Sequence, residues 1–196
     1  MELSRRIKTQ PATVVHPWPP VFSEHSRVLI LGTLPSPTSR AQGFYYGHPH
    51  NIFWPALATV LGVPEPKQDP GSRKAFVLAH DLALWDVLQQ ADITGASDAS
   101  IANPVANRMR PLIEATCVKA VFTVGKTADK LYRELCVEEA GIESVYLPST
   151  SPANRAQHAT EEFRRRWLLV RDALAQGEAA HDALARDALV RGEVSP

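Results

Sequence analysis

Residues 27–36 read Arg27-Val28-Leu29-Ile30-Leu31-Gly32-Thr33-Leu34-Pro35-Ser36. A short apolar run stopped by Gly32 and Pro35 predicts a strand buried on both faces, followed by a loop. Downstream, residues 51–61 place Phe53, Leu57, Val60 and Leu61 near helical spacing, with Gly62 as the stop. A strand, a long loop and a helix therefore open the fold. The pattern then recurs. A short helix over 73–78 leads to a strand over 82–87 that carries Trp85 and Asp86 at its end, a loop over 92–104 and a helix over 111–115. A β-branched run over 119–124, closed by Gly125, precedes a helix over 127–135, and a strand over 144–147 passes through the loop 148–155 into a helix over 160–174. Strands separated by helices predict a three-layer α/β/α domain around a central parallel sheet. Such sheets bind ligands beyond the carboxyl ends of their strands, so the loops 32–50, 86–104, 125–126 and 148–155 are the places to look for chemistry.

Outside this core the pattern fades. Residues 1–26 hold Pro11, Pro17, Pro19 and Pro20 without a sustained period, and read as an irregular N-terminal arm over a domain spanning 27–176. Residues 177–196 set Leu184, Ala188 and Leu189 among charges, the pattern of a weak amphipathic helix or a frayed tail. With 196 residues, 44% of them hydrophobic, the chain supports one core and no second domain. Lys plus Arg and Asp plus Glu number 21 each, so any nucleic-acid surface must be a local patch. No apolar run approaches the roughly 18 residues of a membrane span, and the expectation is a cytoplasmic protein with no membrane partner. Cys117 and Cys136 lack the paired spacing of a zinc site or an iron–sulfur cluster, which predicts packed thiols and no metal.

Three segments carry a resemblance. The first is Gly32-Thr33-Leu34-Pro35-Ser36 together with Phe44-Tyr45-Tyr46-Gly47-His48-Pro49-His50-Asn51-Ile52-Phe53-Trp54-Pro55. The second is Leu84-Trp85-Asp86-Val87 with Gly95-Ala96-Ser97-Asp98 and Ile101, and the third is Leu147-Pro148-Ser149-Thr150-Ser151-Pro152-Ala153-Asn154. Ordered along residues 27–170, they resemble the uracil-DNA glycosylase superfamily, and the middle segment is similar to its hypoxanthine branch. Many members carry a catalytic Asn or Asp where this chain has Leu34, and leucine can neither take a proton nor hold a water. In the hypoxanthine branch the catalytic Asn belongs to a His-Pro-x-Asn element, which maps onto Asn51. The resemblance implies a cofactor-free, monofunctional DNA glycosylase acting as a monomer on DNA that contains a deaminated base, hypoxanthine foremost. A uracil-excising mismatch enzyme is the nearest alternative, and a catalytically silent nucleic-acid-binding module is the alternative of another class.

Each residue also has a simpler reading. Asn51 is expected to position water or bond the leaving base, and would equally serve as a helix cap. Tyr46 aligns with the aromatic that stacks on the extruded base, whereas Tyr45 and Phe44 read as core. His48 is balanced between a donor to phosphate or base and a structural histidine. Gly32 allows close backbone approach to nucleotide or simply a turn, and Ser36 and Ser39 suit phosphate contacts or a turn. Ser149, Thr150, Ser151 and Asn154 supply short donors on a proline-stiffened loop, with capping of the last helix as the competing role. Asp86 reads as a turn cap more readily than as an orienting carboxylate. Arg164, Arg165 and Arg166 read as a solvated helix face, and Lys126 as a phosphate contact or helix-start residue rather than a Schiff-base nucleophile.

Overall fold

The computed structural model describes residues 11–95 and 97–191, with the side chains of the last helix described through residue 176. Ala96, residues 1–10 and residues 192–196 lie outside that description. Four parallel strands form the central sheet in the order β3-β2-β6-β7: β2 is Val28–Gly32, β3 Leu82–Asp86, β6 Ala120–Val124 and β7 Ser144–Leu147. All five residues of β2 are buried, as the uninterrupted apolar run requires of a strand covered on both faces. Its side chains alternate between two cores. Val28 and Ile30 join Phe53, Trp54 and Leu57 of α2 (Phe53–Leu61), Phe76 and Val77 of α3 (Pro70–Ala79), and Phe163 and Trp167 of α7 (Glu161–Arg191). Leu29 and Leu31 face the opposite way, toward Leu112 of α4 (Arg110–Glu114), Leu131 and Tyr132 of α5 (Lys126–Leu135) and Ala140 of α6 (Val137–Ala140). The three-layer α/β/α architecture is thus present.

A second sheet departs from the sequence expectation. Residues Ala12–Val15 form β1 inside the supposed irregular arm, and pair antiparallel with β4 (Leu88–Ile93), which in turn pairs with β5 (Ala102–Ala106). The arm also touches the central sheet, because Val21 and Leu84 exchange backbone hydrogen bonds of 2.9 and 2.8 Å. β4 and β5 flank and shorten the segment expected to be a loop over 92–104. Gln89, Gln90 and Asp92 break the apolar alternation of β4, while β5 is a largely exposed edge carrying Asn103 at positive φ and Pro104. The last helix extends through Arg191, so the backbone of residues 177–191 is helical.

Candidate functional site

The chain leaves β2 for β3 on one side and then crosses back past β2 to β6 on the other, which opens a crevice at the carboxyl ends of the strands. A cavity of about 500 Å³ occupies it. Gly32, Leu34, Ser36, Tyr46 and Asn51 line it from the first loop, and Ser149, Thr150, Ser151 and Asn154 from the last. Asp86, Asp98, Tyr146 and Lys126 complete the wall. Segments about one hundred residues apart in sequence are therefore neighbours here. Their backbones are joined directly, since the Ile52 N–H donates to the Thr150 carbonyl at 3.2 Å.

The first loop is shaped by short local bonds. Ser36 caps α1 (Pro37–Gln42) by accepting from the Ser39 N–H, and the Ser39 hydroxyl accepts from the Gly47 N–H at 3.1 Å. Tyr46 follows at φ 50°, a left-handed conformation that costs a non-glycine residue about 1–2 kcal/mol. Its ring lies flat on Phe53 at 3.8 Å between centroids and 2° between planes, so a base can stack only on the opposite face. The Tyr46 hydroxyl is buried without a hydrogen-bond partner. It points toward Gly32, where an added Cβ would stand 2.9 Å from that oxygen and would collide with the Asp86 carboxylate. Glycine is required at this position by close approach rather than by backbone angle.

Asn51 lines the cavity one residue before Ile52, the N-cap of α2, and closes the turn that leads into the helix. Its Oδ1 accepts from the Phe53 N–H at 3.0 Å, at the start of α2. Because that partner is a donor, the amide orientation is fixed and the NH₂ group is left to bond elsewhere. His48 is not among the residues lining the cavity. Its Nδ1 accepts from the His50 N–H at 3.1 Å, a local turn bond. Leu34 lines the cavity while leaning on the second core, so no polar group occupies that place.

In the last loop, the Ser149 hydroxyl accepts from the Ser151 N–H at 3.2 Å and from the Asn154 amide at 3.1 Å. The Thr150 hydroxyl is buried, unbonded and in the cavity wall. The Trp167 indole fixes the loop's origin by donating to the Pro148 carbonyl at 3.1 Å. Arg164 pairs with Glu161, and Arg165 and Arg166 with Glu162, as expected of a solvated helix face.

Two acidic groups were underweighted by sequence reasoning. Asp86 is 4% exposed, and burial raises its pKa against the opposing hydrogen bond of His16. Asp98 lies across from it at the exposed rim, bonded by the Thr33 hydroxyl at 3.3 Å; loss of hydration raises its pKa, and Asp86 adds to the effect. His16 is the residue beside Asp86 that no sequence motif marks. It sits in the arm, where composition signalled no chemistry, and its Nε2 is 2.9 Å from Asp86 Oδ2. Among the described residues no cluster of three or more His, Cys, Asp or Glu is placed to hold a metal ion, and no helix is long and apolar enough to cross a membrane.

A polar cavity at the switch point of a parallel sheet, walled by an aromatic ring, an amide and two serine-bearing loops, has the form of a site that takes in a single nucleotide. The family model of the Uracil DNA glycosylase superfamily matches residues 19–173, and the chain belongs to that superfamily of DNA glycosylases. It is 32% identical over 139 residues to a Hypoxanthine DNA glycosylase of Methanosarcina barkeri, an alignment covering 70% of this chain and 87% of that protein. A Hypoxanthine DNA glycosylase of Methanosarcina acetivorans is 33% identical over 141 residues, with the same coverage. A solution NMR structure from Methanosarcina acetivorans, described as a candidate uracil DNA glycosylase, superposes with a TM-score of 0.69 at 28% identity, covering 84% of this chain and 99% of that one.

Proposed function

We propose that this chain excises hypoxanthine from DNA as a monomer in the cytoplasm, by hydrolysing the N-glycosidic bond and leaving an abasic site. The observation that carries the reading is the Asn51 amide, held in the cavity wall with its NH₂ group free while Leu34 leaves the alternative catalytic position apolar. As the glycosidic bond breaks, the sugar gains oxocarbenium character and the base takes up negative charge. An N–H donor aimed at the departing base stabilises that charge more in the transition state than in the ground state. Asn51 serves as that donor. Tyr46 offers its free face to the base, and Ser36, Ser149, Ser151 and Asn154 face the DNA backbone with short polar groups. His48 stays outside this scheme unless the loop rearranges on DNA.

Single-turnover excision from duplexes carrying one deoxyinosine or one deoxyuridine, with EDTA present, tests the proposal. Faster release of hypoxanthine is expected, with strands that remain intact until alkali or heat cleaves them. Faster release of uracil would favour the mismatch-type reading. No release of either base would leave a binding module. A borohydride-trapped adduct would replace hydrolysis with amine attack, and Lys126, the lysine in the cavity wall, would be its first suspect.

A further inference from the structure

Asp86 ends β3 with its two carboxylate oxygens in different surroundings. Oδ2 meets His16 Nε2 at 2.9 Å, and the His16 side chain is only 2% exposed. The other ring nitrogen, Nδ1, accepts from the Trp18 N–H at 3.3 Å. A nitrogen that accepts from a backbone amide carries no proton, so the proton of the ring lies on Nε2 and is donated to Asp86. The ring is held edge-on to Trp18 and tilted against Tyr45. The Asp86 carbonyl is fixed as well, by the Asn107 amide at 2.9 Å. Oδ1 lies against Gly32 at the cavity wall, and no described donor reaches it.

We infer that His16 is a positioning residue for base selection: its N–H holds Asp86 as a hydrogen-bond acceptor, and the free Asp86 oxygen accepts from the ring N–H that a deaminated base possesses. The inference rests on the glycosylase reading of this cavity. Its chemical basis is a difference in one proton. Hypoxanthine presents N1–H where adenine presents a lone pair at N1, and uracil presents N3–H where cytosine presents a lone pair. A carboxylate oxygen bonds the first of each pair and repels the second, and a group left unpaired in a buried site discriminates strongly. The arm, read from sequence as irregular, thus supplies part of the selection machinery.

The groups facing Asp86 are His16 and Tyr45, together with Tyr46 and Asp98. The two tyrosines are driven well above the ordinary phenol range, first by burial and then by the Asp86 charge, and so stay neutral. Asp98 is raised first by burial and also by the Asp86 charge. His16 is the group that opposes burial, so its loss raises the Asp86 pKa further, and the acceptor form then disappears at a higher pH as acid is added.

The test measures affinity for duplexes carrying 2′-fluoro-deoxyinosine or 2′-fluoro-deoxyadenosine, which resist excision, between pH 5 and 9. Wild type should prefer the inosine duplex by at least about tenfold above its transition, since one lost buried hydrogen bond to a charged group is worth that much. The preference should fade on acidification. His16→Phe keeps the ring packing without the donor and should move that fading upward by about one pH unit, whereas His16→Gln, which retains an N–H, should stay near wild type. Asp86→Asn should lose the preference throughout. An unmoved midpoint in His16→Phe would overturn the role of His16, and an intact preference in Asp86→Asn would overturn the acceptor. Excision of deoxyinosine by wild type is scored separately, so a failure of the glycosylase reading is distinguishable from a failure of this one.

Discussion

The orientation of the Asn51 amide separates two roles that sequence left open. With Oδ1 engaged by the Phe53 N–H, Asn51→Asp preserves that turn bond and removes the donor, whereas Asn51→Ala removes both. The single-turnover rate should fall by about 10²–10³-fold in both variants, the range expected when one transition-state hydrogen bond is lost. The melting temperature should drop mainly in Asn51→Ala. A retained rate in Asn51→Asp would restore the water-positioning role. Tyr46 makes a complementary case. Its hydroxyl has no partner, so Tyr46→Phe should keep excision within a few-fold of wild type, while Tyr46→Ala should weaken capture of the extruded base by roughly tenfold or more. Equal losses in both variants, read by binding to an uncleavable duplex, would show that the hydroxyl matters after all.

Among the elements, the central sheet was legible because burial on both faces writes an uninterrupted apolar run into β2 and a β-branched run, broken in polarity only by the buried Thr123, into β6. The antiparallel sheet was not. β4 mixes Gln89, Gln90 and Asp92 into its length, and β5 contains Pro104, so neither carries a clean period of two. The same blind spot hid His16, whose place beside Asp86 depends on β1 pairing with β4 across 70-odd residues of chain. The residues that line the cavity were legible where motif and loop coincide, at Asn51, Tyr46 and Ser149, whereas His48 lies outside the lining, in a turn bond that no pattern announces. Helix α7 acts on the site through Trp167. Trp167→Phe leaves the Pro148 carbonyl unbonded and should cost about 1–3 kcal/mol of stability, read from denaturant unfolding. DNA affinity should weaken while the rate at saturation survives. A fall in that rate at unchanged affinity would place Trp167 in the chemistry instead.

The whole molecule carries no net charge, and its arginine run is matched by Glu161 and Glu162. Association with DNA must therefore rely on a few cations, Lys126 in the cavity wall among them. The logarithm of the binding constant should fall with the logarithm of salt concentration at a slope no steeper than about −3, corresponding to some three phosphate contacts. A slope near −6 would reveal a basic surface that the overall balance conceals. The hydrogen bond from Ile52 to Thr150 bears on a longer timescale. It runs from main chain to main chain, so among substitutions at these two positions only proline at 52 deletes it, and the spacing between the start of α2, beside Asn51, and the last loop is inherited as a unit. Descendants of this sequence can drift in the wall, at Leu34, Tyr46 or Asp86, and acquire a taste for another lesion without having to reinvent the grip.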